Sequence, residues 1–230
     1  MQPLPDVGFD ALPHLPAAPW RCSGTVLVAV LNDAATLDAL GRAVHAPPYQ
    51  RPPQAPVLAV KPRHTWAAAD APFTVPAGAA EVVVGPSLAC IIGRRIGSGT
   101  GAADAQQAVA AWGLAVDLTL PTGGWYRPAV RARAAVGSLR LGVPVATLPE
   151  PVAAFEVRVD GGPPWHGDMA RFVRGPGALL ADIAAFTTLQ PGDVVLVGVP
   201  EGAPSARAGQ RVRVDAPGLG SLAFAIEGVR

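Results

Sequence analysis

The stretch "EVVVGPSLACIIGRR", residues 81–95, decides how this chain is read. Val82-Val83-Val84 and Ala89-Cys90-Ile91-Ile92 are apolar runs with the composition of a buried strand. Gly85-Pro86-Ser87 lies between them. Proline has no N–H to give a sheet ladder, and glycine weakens a strand interior. The triplet therefore reads as a bulge or an edge, or as a place from which reactive side chains have gone.

Working outward, "GTVLVAVL" from Gly24 is a strand, and Asn32-Asp33 can cap a short helix over "AATLDALGRAV". The Pro-rich "APPYQRPPQAP" is a loop, and "VLAVKPRHTW" returns as a strand with a polar tip. "GAADAQQAVAAWGLAV" predicts a helix running to about Trp112, and "AVDLTL" a strand after it. "GGWYRPAVRARA" is a loop or strand entry dense in arginine. "AAFEVRVDG" alternates as a half-exposed strand closed at Asp160-Gly161, and "GPGALLADIAAF" is a second helix. "QPGD" turns into the strand "VVLVGV", and "RVRVDAPGLGSLAFAI" is a hairpin. The sum is an α+β, mostly β chain, read as an irregular extension over 1–23 and one domain over 24–230.

Composition agrees. Of 230 residues, 50% are hydrophobic and 15% charged, which excludes a disordered chain. The 26 glycines and 26 prolines fall between the apolar runs, as turns of a β-rich fold do. A net charge of +1 with scattered basic residues gives no footprint for nucleic acid. No apolar run reaches membrane-spanning length, and residues 1–20 do not have the order of a signal peptide. Cys22 and Cys90 stand alone, as buried thiols in a reducing cytoplasm would.

Few residues carry chemistry on their own. The four histidines lie far apart in sequence, and no Cys/His spacing suits zinc. Neither a G-x-S-x-G elbow nor a P-loop is present. "GSGTGAAD" is better read as a turn and helix cap than as an anion cradle. Asp117, inside "LAVDLTL", is the best single candidate for a hard cation, although a lone strand Asp is more often a hydrogen-bonded structural residue. Lys61, Arg63 and His64 end one strand, and Tyr126, Arg127, Arg131 and Arg133 share one segment. Guanidinium groups at that density suit carboxylates, with a solvated basic face as the equal alternative.

The order and spacing of six stretches resemble the fumarylacetoacetate hydrolase family. They are "GTVLVAVLND", "PPYQRPPQAPVLAVKPRHTW", "LACIIGR", "DLTLP" with "WYRPAVRARA", "FTTLQPGDVVLVGVPEG" and "GQRVRVDAPGLGSL". Within the family the chain is most similar to the N-terminal half, or separate N-terminal subunit, of isomerase/decarboxylases of homoprotocatechuate (4-hydroxyphenylacetate) degradation. The resemblance implies a mixed β-roll with a few peripheral helices and a ligand site at one mouth. It implies Mg²⁺ or Mn²⁺ held by one Asp and a Glu-x-Glu pair, with the substrate's 2-oxo acid end on the metal and an enolate stabilised there.

Carried over by residue, Asp117 matches the metal Asp. Lys61 and Thr65 match the Lys-x-x-x-Thr pattern, and Tyr126 and Arg127 the substrate-side pair, with Arg63 and His64 as further substrate contacts. Pro200 and Gly202 match the Gly-Thr-Pro-x-Gly loop, where Val199 replaces Thr. Arg133 stands for a Lys, so Lys61 and Arg133 are the catalytic candidates. Thr36 and Ala39 replace the His and Glu of the family's lid. Gly85 and Ser87 fall where the two metal glutamates belong, which implies a metal site that is weak or absent. The implied role is that of a cytoplasmic N-terminal-type subunit acting on unsaturated 2-oxo (2-hydroxy-diene) dicarboxylates, as a homodimer or with a metal-binding sister subunit. A non-catalytic scaffold, or a hydrolase or tautomerase for another 2-oxo acid, is the alternative.

Overall fold

A computed structural model describes residues 25–122, 129–150 and 154–229. β1 (Val26–Val30) runs into Asp33, whose Oδ1 accepts the Ala35 N–H at 3.0 Å and caps α1 (Ala34–Leu40). β2 (Val57–Lys61), β3 (Phe73–Thr74), β4 (Val82–Ile92), α2 (Ala102–Gln107) and β5 (Val109–Thr119) follow. Next come α3 (Val130–Arg133), β6 (Leu139–Leu141), β7 (Ala154–Val159), β8 (Trp165–Asp168) and α4 (Pro176–Ala184). β9 (Val194–Leu196), β10 (Ser205–Ala206), β11 (Arg211–Ala216) and β12 (Gly220–Glu227) complete the order.

The strands form two sheets. One has the order β2-β1-β9-β4-β5-β6, with β10 also on β4; the other has the order β3-β12-β11-β7-β8. Both are mixed, since β1/β9 and β3/β12 run parallel and their other pairs antiparallel. The inner faces share one large core, in which Leu88, Trp112 and Leu114 of the first sheet join the same cluster as Phe155, Val214 and Phe224 of the second. The hairpin predicted at Asp160-Gly161 is present, with φ of 50° and 67° there, the left-handed pair that a tight β-turn requires.

Arg140 is buried between the sheets. Its guanidinium donates to Gly137 O and Ala71 O, each at 2.8 Å, and lies 4.1 Å from the Phe224 ring centroid. Burial pushes its pKa down to about 10.

Two expectations are corrected. β4 is one continuous strand through Gly85-Pro86-Ser87, in unbroken register with β5; its irregularity sits at Ile91/Ile92. The reason lies on the other flank, where β4 pairs with β10 only at Val82 and Val83 and with β9 only over Ala89–Ile91. The Val84 N–H points to that flank, donating to Pro204 O at 2.8 Å. Backbone groups two apart point the same way, so the Pro86 nitrogen faces the gap between β10 and β9 and no ladder bond is lost. The helix predicted to reach Trp112 stops at Gln107, and β5 takes over at Val109. The alanines' helix propensity gives way to an 11-residue strand paired with β4. The expected extension 1–23 and Cys22 lie outside the described residues; Cys90 is fully buried, which raises its thiol pKa. Among the described residues no helix is long and apolar enough to cross a membrane.

Candidate functional site

The alternation of a strand decides which side chains meet here. On β4 the even positions Val84, Leu88, Cys90 and Ile92 enter the large core. The odd positions turn to the opposite face, where Ala89 and Ile91 pack with Val26, Val28 and Leu139. Gly85 and Ser87 are on this second face, and Gly85 lies directly opposite Asp117 of β5. Lys61 ends β2 opposite Val26 and so comes to the same face.

Lys61 and Asp117 are a buried ion pair. Nζ is 2.5 Å from Oδ1, and both side chains are 0% exposed. Nζ also donates to Ser138 Oγ at 3.0 Å and, more weakly, to Leu118 O at 3.4 Å. From the single turn of α3, Arg133 Nη1 donates to Asp117 Oδ2 at 3.2 Å. The carboxylate is thus held on both oxygens, by Lys61 from the core and by Arg133 from the rim. Burial lowers the Lys61 pKa from its ordinary 10.5, against the opposing pull of Asp117. The unfolded chain then binds more protons between the two pKa values, and stability rises with pH across that window. Chemical denaturation at stepped pH should show the parent gaining on a Lys61→Met variant as pH climbs towards 10.5. A parent that loses ground there would mean the pKa is raised instead.

An open pocket of about 350 Å³ lies against this pair, with Gly85, Asp117, Arg133, Thr36, Val199 and Glu201 among its walls. The far wall is the loop after β9. A Cβ on Gly85 would lie 2.8 Å and 3.0 Å from the two Val199 methyls and 3.0 Å from Asp117 O, so the space a larger side chain needs is already filled. The Ser87 hydroxyl, fully buried, accepts the Gly198 N–H at 3.3 Å. The Glu201 N–H donates to Asp33 Oδ2 at 2.6 Å, and Glu201 Oε2 accepts the Thr36 hydroxyl at 2.6 Å. Asp33 thereby fastens the loop to the start of α1.

Of the residues singled out in the sequence, Lys61, Gly85, Asp117 and Arg133 converge on the pocket or directly behind it. Arg63 and His64 do not. They sit exposed in a turn over Arg63–Thr65, where His64 Nε2 is 2.8 Å from Ala134 O, and neither lines the pocket. Thr65 donates to Pro62 O at 2.7 Å and holds that turn. Tyr126 and Arg127 lie outside the described residues. Sequence reasoning missed Ser138, which has no motif around it. It also passed over Glu201, although a carboxylate between Pro200 and Gly202, in a loop already singled out, was a usable signal.

Mg²⁺ or Mn²⁺ does not fit this donor set. One carboxylate faces the pocket from the strands, both of its oxygens are on cations, and methyl groups occupy the space beside Gly85. Among the described residues no three His, Cys, Asp or Glu side chains converge as a metal site.

The profile described as "Fumarylacetoacetate (FAA) hydrolase C-terminal" matches residues 25–227. The chain belongs to the fumarylacetoacetate hydrolase family. A relative from Escherichia coli, the 4-hydroxyphenylacetate degradation bifunctional isomerase/decarboxylase, is 33% identical over 199 residues, covering 86% of this chain and 46% of that protein. The chain therefore spans about half the length of that relative. In fold it matches the fumarylpyruvate hydrolase from Pseudomonas aeruginosa, solved with Mn²⁺ and pyruvate, at a TM-score of 0.74 and 20% identity over 94% of each chain. The 5-carboxymethyl-2-hydroxymuconate delta-isomerase from Mycobacterium smegmatis gives a TM-score of 0.73 at 24% identity, covering 90% of this chain and 80% of that one. The strand order and mixed sheets above are this family's fold, with Gly85 and Ser87 on the face that carries the pocket.

Proposed function

We propose that this chain is the N-terminal-type subunit of a decarboxylase/isomerase of 4-hydroxyphenylacetate and homoprotocatechuate degradation. It binds unsaturated 2-oxo (2-hydroxy-diene) dicarboxylates without a resident metal. The observation that carries the reading is Asp117 clamped between Lys61 and Arg133 at a pocket whose strand wall offers no further carboxylate. In this arrangement Arg133 is the group that meets a substrate carboxylate or a developing enolate oxygen, and Lys61 holds Asp117 in place behind it. Tyr126 and Arg127, outside the described residues, are the substrate-side pair that the family resemblance implies. The pocket is within the usual size range for a small-molecule site. The setting is cytoplasmic, as a homodimer or beside a metal-binding sister subunit.

The second reading is a non-catalytic partner that scaffolds such a sister subunit. The same engaged carboxylate favours it, because an Asp117 neutralised by two cations is poorly placed to act as a base.

Calorimetric titration with 2-oxoadipate, a saturated 2-oxo dicarboxylate, tests the first reading. Arg133→Ala should weaken binding roughly tenfold to a hundredfold, as expected for losing one charge-assisted hydrogen bond worth about 1.5–3 kcal/mol. Decarboxylase and isomerase assays of the chain alone, and mixed with a metal-binding relative, separate the two readings. Turnover only in the mixture, with no binding by the isolated chain, favours the scaffold.

A further inference from the structure

We infer that Glu201 is the proton-carrying group of this pocket, a catalytic acid–base residue supplied by the loop after β9. The inference rests on the reading of the pocket as a 2-oxo dicarboxylate site.

Three observations converge on Glu201. It lines the same pocket as Arg133 and Asp117, but it comes from the loop wall rather than from the strands. Asp117 has a cation on each oxygen, whereas the Glu201 carboxylate meets a neutral donor, the Thr36 hydroxyl, at 2.6 Å on Oε2. It is also held in place, because its own N–H is fixed to Asp33 Oδ2 at 2.6 Å, with Pro200 before it and Gly202, at φ 77°, after it. A carboxylate on a fastened loop, facing a pocket with a guanidinium on its wall, is the pairing an enolisation needs. One group moves the proton and the other meets the charge left on oxygen.

The step balances without a co-reactant. In a 2-oxo-3-ene dicarboxylate, Glu201 takes a proton from C5. The C5–H electron pair becomes the C4=C5 bond, the C3=C4 pair moves to C2=C3, and the C2 oxygen takes the negative charge beside Arg133. That oxygen then takes a proton from water while Glu201 returns its own to solvent, giving the 2-hydroxy-2,4-diene with no net proton change; the reverse sequence restores the enone. Thr36 is a positioning residue, setting which carboxylate oxygen faces the substrate.

The probe is 2-oxoadipate in deuterium oxide, where the same carboxylate would exchange the C3 protons, followed by proton NMR with binding measured in parallel. Glu201→Gln keeps an acceptor for Thr36 and should leave binding within about twofold while slowing exchange by roughly a hundredfold or more. Glu201→Ala should lose exchange equally and regain part of it with added formate, a rescue that a merely structural role would not produce. Exchange at the parent rate in Glu201→Gln overturns the inference and leaves the binding reading intact. Loss of exchange only in proportion to lost binding also overturns it, making Glu201 a binding group. A parent that neither binds nor exchanges 2-oxoadipate overturns both.

Discussion

Lys61→Met, with Asp117 retained, should destabilise the protein by about 3–5 kcal/mol, the cost of leaving one partner of a buried ion pair alone. Both side chains are fully buried, and Lys61 meets Asp117 Oδ1, Ser138 Oγ and Leu118 O. Methionine fills most of the volume but makes none of those contacts. Arg133 meets the other oxygen of Asp117, so Oδ1 would be charged, buried and without its cation. At roughly 2–4 °C per kcal/mol for a domain of this size, the melting temperature should fall by about 6–20 °C. The double variant Lys61→Met/Asp117→Leu should recover much of that loss, since removing both charges removes both desolvation costs. Thermal melts of the three proteins decide it. A single variant that melts within about 2 °C of the parent would mean that water reaches the pair and that Asp117 is not clamped.

That pair was half legible in the sequence. An Asp inside "LAVDLTL" is conspicuous because apolar strands seldom carry one, and Lys61 stood out at the polar end of its own strand. What joins them is the pairing of β4 with β5 and of β1 with β2, which brings distant residues to one face, and no local pattern encodes that. The long β4 shows the opposite failure. Local rules broke it at Pro86, because they count a missing N–H as lost without knowing that the flank it faces has no strand to receive it. α2 was overextended for a related reason: alanines favour helix locally, and only the partner strand beside Val109–Thr119 overrules them. Strand parity transferred well. Residues 85 and 87 share a face whatever the tertiary context, so Gly85 and Ser87, which stand where the resemblance implies a Glu-x-Glu pair, could be expected on one side of the strand before the fold was known.

Parity also makes the metal question experimental. Gly85→Glu/Ser87→Glu/Val199→Ala should gain thermal stability from Mn²⁺, whereas the parent should shift by less than about 1 °C. Gly85 is the cross-strand partner of Asp117 and Ser87 lies one pleat along, so glutamates there would project from the same face as Asp117. Without metal the variant should be weaker than the parent by roughly 3 kcal/mol or more, because it buries carboxylates with no counter-charge. Mn²⁺ at a hundred times its Kd would then return about 2.7 kcal/mol, roughly 5–11 °C. Leaving Val199 in place should blunt the response. Its methyls stand 2.8 Å and 3.0 Å from where any Cβ at position 85 must sit, and overpacking of that kind costs about 1–3 kcal/mol. A parent that itself binds Mn²⁺ tightly would show that Asp117 can release its two cations to a metal, and the metal-free reading of the pocket would fall. A triple variant deaf to Mn²⁺ would place the obstacle in the Lys61–Asp117–Arg133 clamp rather than in the missing glutamates. The difference matters for the proposed function, because a pocket closed to metal by hydrocarbon and by its own cations would have to stabilise an enolate with guanidinium charge alone.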